Sequence, residues 1–248
     1  MRGPIRARGV AVLAVAATLV ACGSEPAPSP GSDAITFPSE DGVALAGRLF
    51  GSGESHAGVV LAHMYPADQR SWFTFAERLA SRGYRVLTFD FRGYCPGGEG
   101  GCSEGERRPA ETWRDVLGAI EALRDEGGVT EIALIGASMG GTASLVAASR
   151  EGVEVGAVIT LSAPVSFEGL EATPDVLSRV SAAKLFVAGH EDVGAAEAVT
   201  ALYEQSVQPK RPVILTTGDH GTDILSGNQG ANASNEILAW LERYVPAG

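Results

Sequence analysis

Long apolar runs are missing from this chain. The stretch "VAVLAVAATLV", residues 10–20, is eleven residues interrupted by Thr18, well short of the ~20 that carry a helix across a bilayer. Basic charge is scarce too: 19 Lys and Arg stand against 30 Asp and Glu. No basic cluster offers itself to a phosphate backbone, which argues against nucleic acid as a partner. Cysteine is limited to three residues in 248. None lies near the further Cys or His that a metal site would need at short spacing, so no metal is expected. Nor is there a G-x-G-x-x-G after a strand or a Gly-Lys-Ser/Thr loop, and no cofactor is expected.

What is present begins with an N-terminus unlike the rest. "MRGPIRARG" supplies three arginines ahead of the apolar run, and small residues close it, the pattern of an export signal. The run ends in "LVAC", which resembles the lipobox of bacterial lipoproteins. That resemblance implies a signal over residues 1–21, cleavage before Cys22, lipid on its sulfur, and a membrane anchor in the cell envelope outside the cytoplasm. The following "GSEPAPSPGSD" is a Pro/Ser/Gly tether spanning residues 22–33 with the cysteine. Without the signal, 16 basic residues face 30 acidic ones, a formal balance of −14. Residues 34–248 then make one domain, ample for a core. Cys95 and Cys102 flank the Gly-rich "PGGEGG". In an oxidising compartment they are expected to pair and hold that loop.

Along the domain, "ITF" and "VALAGRLF" read as paired edge strands around the turn-forming "PSEDG". "AGVVLAHM" is nearly all apolar, as a strand buried on both faces must be. "SWFTFAERLASRG" predicts a helix with Ser71 as N-cap, an apolar face of Phe73, Ala76, Leu79 and Ala80, and Gly83 as its stop. In "PAETWRDVLGAIEALRDE" the residues Trp113, Val116, Leu117, Ile120 and Leu123 recur at helical spacing. Strand and helix then alternate through "VTEIALIG", "SMGGTASLVAASR", "VGAVITLSA", "PDVLSRVSAA", "KLFVAGHED", "AAEAVTALYEQS", "PVILTTGDH" and "NEILAWLERYV". This predicts an α/β fold, a mostly parallel sheet of about eight strands with helices on both faces. Ligands in such sheets sit at the carboxyl ends of the strands.

Unusual polar residues gather at those ends. Gly136-Ala137-Ser138-Met139-Gly140 fits G-x-S-x-G at a strand-to-helix junction. The turn is so tight that side chains two places either side of the serine would meet neighbouring backbone. The helix starting there aims N–H groups at the site, Met139 among them, where an oxyanion could develop. A serine needs a base. Of the four histidines, His56 lies in a polar loop, while His63, His190 and His220 follow strands. His220, on the loop after the last strand and followed by Gly221, is the candidate base ahead of His190. Asp192, ending "FVAGHED", is the candidate acid that orients it, with Glu191, Asp219 and Asp223 as competitors.

The order Ser138, Asp192, His220, each after a successive strand, resembles the α/β-hydrolase superfamily over essentially the whole chain from residue 34. "LAHMYPADQRSW" looks like that family's oxyanion loop, and "FDFRGYCPGGEG" like its D-x-R-G-x-G-x-S segment. Two departures stand out. Met64 follows His63 where the family has glycine, leaving either the Met64 or the Tyr65 amide to join Met139. Cys95 and Pro96 replace the expected Gly and Ser. The dienelactone-hydrolase-like branch carries cysteine where this chain has Ser138. The resemblance implies a serine hydrolase cleaving a small ester-like substrate through an acyl-enzyme. Between Pro164 and Lys184 only about 20 residues are available, near one short helix, so no cap domain is expected. The same residues leave an acyltransferase, or a surface-anchored binding protein with an inert site, as alternatives.

Overall fold

The computed structural model describes residues 31–51, 54–95, 102–125 and 128–248, with Met1 and Gly3. The signal, Cys22 and the tether up to residue 30 lie outside the described residues. The chain opens with β1 (Ser32–Pro38) and β2 (Ala44–Phe50), then β3 (Ala57–Ala62), α1 (Phe73–Ala80), β4 (Arg85–Phe89) and α2 (Thr112–Asp125). It continues through β5 (Glu131–Ala137), α3 (Met139–Ala148), β6 (Ala157–Leu161), the two-residue strands β7 (Ser166–Phe167) and β8 (Leu170–Glu171), and α4 (Pro174–Arg179). The remainder is β9 (Ala183–Gly189), α5 (Val193–Gln205), β10 (Lys210–Leu215), α6 (Asp223–Ser226) and α7 (Gly230–Tyr244).

Eight strands form one sheet in the order β1-β2-β4-β3-β5-β6-β9-β10. β1 and β2 run antiparallel to their neighbours, and every pairing from β4 to β10 is parallel. Alternate strand residues face two separate cores. Val60, Ala62 and Leu134 pack with Val116, Ile120, Leu145, Leu177 and Val199, hence with α2 to α5. Val59, Leu61 and Ile135 pack with Phe75, Leu79, Ile237 and Leu241, hence with α1 and α7. Apolar residues are therefore needed on both faces of a central strand, which is why "GVVLA" shows no alternation.

Four details depart from the sequence-based expectation. β1 is the sheet edge, but β2 lies inside it, between β1 and β4. Ser71 does not cap α1. A short 3-10 turn, Gln69–Trp72, precedes the helix, and the Asp68 carboxylate caps that turn by accepting from the Arg70 amide at 2.8 Å. A charged acceptor three residues upstream outcompetes the serine, whose hydroxyl donates instead to the Asp68 carbonyl. On α1 itself Phe75, not Phe73, joins Ala76 and Leu79 as fully buried. Finally, the segment after β6 holds the β7–β8 hairpin as well as the short helix α4.

Candidate active site

β3 and β5 are neighbours, yet the helices that follow them pack on opposite faces of the sheet: α1 on one side, α3 on the other. In such sheets a switch of this kind is where ligands collect at the strand ends, and the serine turn lies against the start of the 63–65 loop there: a Cβ on Gly140 would stand 2.6 Å from the His63 carbonyl oxygen. Ser138 holds φ 46° and ψ −118°, a region that a residue with a side chain occupies only when its surroundings force it. The surroundings here are glycines. A Cβ on Gly136 would lie 2.2 Å from the Gly140 carbonyl oxygen, and one on Gly140 would lie 2.3 Å from that of Ala62. Gly141 is equally constrained, with a Cβ position 2.7 Å from the Ala163 methyl. The turn can therefore press against β3 and β6 only with these three side chains absent. Within α3, the Gly141 amide donates to the Ser138 carbonyl at 2.9 Å. The preceding amides, Met139 and Gly140, come before the first intrahelical bond and face the helix's positive end.

His220 lies five residues past β10. Its Nδ1 donates to Asp192 Oδ2 at 2.6 Å, and Asp192 stands three residues past β9. The adjacent Gly221 places this loop against the serine turn and the β3 loop: a Cβ there would sit 3.4 Å from the Ala137 methyl and 2.5 Å from the Met64 sulfur. Thr222 Oγ1 also contacts that sulfur at 3.8 Å. Among the described residues, the carboxylate bonded to His220 is that of Asp192 and not of a competing acid. Asp219 Oδ2 accepts from Thr217 Oγ1 at 2.7 Å, Asp223 begins α6, and Glu191 points to solvent beside Gly218. His190 is exposed. Among the described residues no hydrogen bond joins Ser138 and His220, and such catalytic bonds commonly tighten only when substrate binds.

His63 is fully buried and serves the site from beneath. Its Nδ1 donates to the Met64 carbonyl at 2.9 Å, and its Nε2 accepts from the Phe91 amide at 3.1 Å. Both partners require the neutral ring with its proton on Nδ1, and burial pushes its pKa down to about 4. Phe91 and Tyr94 meet the ring edge-on. The sequence marks this histidine as the residue that ends a strand and opens the stretch resembling an oxyanion loop, and its bonds to Met64 and Phe91 are seen only in the structure. Its signal was position, a histidine opening the loop beside the serine turn.

The Asp90-Phe91-Arg92-Gly93 segment is structural, but its two charges do not pair with each other. Asp90 accepts from the Gln69 amide at 2.9 Å and from its side-chain nitrogen at 2.7 Å, and burial raises its pKa to about 6. Arg92 is gripped by Asp41, Glu111 and the buried Asp115, all within 2.8 Å. Asp115 was absent from the sequence-based list, although a carboxylate beside Val116 on the apolar stripe of α2 is an anomaly that demands a cation. Beyond Gly93, Cys95 and Cys102 are joined as a disulfide. Ser103 then ties the loop to the sheet, donating to the Asp90 carbonyl and accepting from the Ala46 amide.

Known proteins fit this geometry. A family model described as the alpha/beta hydrolase fold matches residues 59–223. An esterase from Pyrococcus furiosus superposes with a TM-score of 0.70 at 18% identity, covering 86% of this chain and 91% of its own. An alpha/beta hydrolase from Penicillium sp. sh18 gives 0.71 at 18%, covering 86% and 99%. The esterase domain of a Rhodothermus marinus protein gives 0.66 at 25%, covering 86% and 99%. No curated protein matches the chain in sequence. With the family matched over more than half of its length, on a sheet of this order, the chain belongs to the α/β hydrolase fold family.

Proposed function

We propose that the protein is a serine hydrolase acting on ester-like carbonyl substrates. One observation carries the reading: the Asp192–His220 pair is bonded at 2.6 Å on a loop whose Gly221 approaches Ala137, the residue before a serine held at φ 46° on the opening turn of a helix. In this reading His220 Nε2 takes the proton of Ser138 Oγ as that oxygen attacks the carbonyl carbon. Asp192 holds Nδ1–H and stabilises the imidazolium. His220 then returns the proton to the leaving oxygen, and water resolves the acyl-enzyme by the same steps. The Pyrococcus furiosus and Rhodothermus marinus relatives, both named as esterases, favour an oxygen ester over other carbonyl substrates.

The developing oxyanion needs two amides. Met139, at the start of α3, is one. The peptide geometry supports Tyr65 over Met64 as the other. His63 draws the Met64 carbonyl toward the β4 side of β3. The Met64–Tyr65 bond is not among the cis peptides, so the N–H of that same unit, belonging to Tyr65, points the opposite way. In the order β4-β3-β5 the opposite way is toward Ser138.

Hydrolysis of p-nitrophenyl esters of increasing chain length tests the reading. Turnover is expected for the unaltered protein, with kcat/KM lowered about 10⁶-fold in Ser138→Ala if the triad acts as a unit. A folded Ser138→Ala variant that keeps its turnover contradicts the assignment.

A further inference from the structure

The loops leaving β3 and β6 rise on either side of β5, and they meet. Tyr65 of the first and Phe167 of the second have ring centroids 6.1 Å apart. Between them runs the opening turn of α3, flanked by the Ala62 carbonyl against Gly140 and by the Pro164 carbonyl, which accepts from Thr142 Oγ1 at 2.6 Å. A third loop supplies Arg107. Its guanidinium lies 4.1 Å from the Tyr65 ring centroid, and its Nη2 donates to Glu168 Oε1 at 3.1 Å. The Arg107 backbone is fixed against the chain after β4, for a Cβ on Gly93 would stand 2.2 Å from its amide nitrogen.

A second observation singles out Glu168. With Gly169 it forms the two-residue tip between β7 and β8, at φ 44° and 86°. A turn with both central residues at positive φ favours Asn-Gly, and glutamate is a poor choice for its first place. An outlier of this kind points toward a use, and the use is visible in its carboxylate, which reaches Arg107.

We infer that Tyr65, Phe167, Arg107 and Glu168 form a clasp that limits the size of the acyl group accepted at Ser138. The inference rests on the hydrolase reading above. Met64, Gly221 and Thr222 mark the side of the crevice held by the His220 loop, and the clasp closes the side above α3. An acyl group on Ser138 extends between them, so short chains fit and long ones meet the two rings. Arg107 and Glu168 act as positioning residues, holding the aromatic pair rather than touching the reacting atoms. Their side chains are 34% and 51% exposed, so the ion pair is weak and screened by salt.

The test uses the full chain and p-nitrophenyl acetate and octanoate. Glu168→Asn suits the turn and removes the charge, so the fold is retained. The octanoate-to-acetate ratio of kcat/KM is expected to rise about threefold, chiefly through KM, the scale of an exposed ion pair. Arg107→Gln, and the unaltered protein in 1 M NaCl, should move the ratio in the same direction. An unchanged ratio in Glu168→Asn and Arg107→Gln overturns the clasp while leaving the hydrolase reading intact, as does an equal loss on both esters. If the unaltered protein neither turns over esters nor reacts with a fluorophosphonate, the hydrolase reading fails first and the clasp falls with it.

Discussion

At φ 46° the Ser138 backbone stores strain that only its neighbours can hold, and at this scale the account stands on a few side chains. Asp192 is one. As asparagine it would present an amide to His220 Nδ1 and favour the wrong tautomer, so kcat is expected to fall about 10⁴-fold with KM little changed. Glu191→Gln and Asp223→Asn should stay near the unaltered rate. The reverse pattern in the same ester assay would place the acid elsewhere. His63 is another. His63→Ala releases the Met64 carbonyl, and with it the Tyr65 amide, so a loss of about 10²-fold in kcat is expected, the value of one oxyanion donor. A folded variant with unaltered kcat would show that the peptide holds its direction without the ring. The proposed trio of Ser138, Asp192 and His220 could be picked out from the sequence because each follows a strand at the edge where ligands collect, and of its contacts the structure shows the bond between Asp192 and His220. His63 in its positioning role could not be, because a ring's partners come from the loop after a neighbouring strand, about 28 residues away, and no spacing rule reports them.

Strands and helices were the most legible level, because burial on two faces leaves a plain mark. The near-continuous apolar runs of β3, β5 and β9 could scarcely be anything else once helical patterns separated them. Ends were less legible: the Asp68 cap and the β7–β8 hairpin depend on single side chains and on two-residue pairings that carry no period. One strand residue breaks the pattern outright. Lys184 of β9 is fully buried among apolar neighbours, its Nζ donating to the Val180 carbonyl at 2.7 Å and the Ala182 carbonyl at 2.6 Å. Burial lowers its pKa from 10.5 to about 8. The unfolded chain therefore holds more protons than the folded protein between these values, and this group makes stability rise as pH climbs from about 8 to 10.5. Below pH 8 the lysine is charged in both states and the full burial penalty is present. Urea titrations at pH 7.5, 9 and 10.5 should show this rise, and Lys184→Met should flatten it. A slope that persists unaltered in Lys184→Met would assign it to other groups.

At the scale of the whole molecule, the order β4-β3-β5 and the two-sided helix packing bring the β3 loop, the serine turn and the His220 loop to one edge. The disulfide acts at the same scale. Closing the seven-residue separation between Cys95 and Cys102 restricts the unfolded chain by roughly 2–3 kcal/mol. If this edge activates Ser138 as proposed, covalent labelling will find it there. The purified protein is treated with a fluorophosphonate and the modified residue is located by peptide mass spectrometry. One adduct is expected, on Ser138, formed rapidly in the unaltered protein and slowed at least a hundredfold in His220→Ala, because general-base assistance contributes about 10²–10⁴. An unlabelled Ser138, or labelling at the same rate without His220, would contradict the proposal.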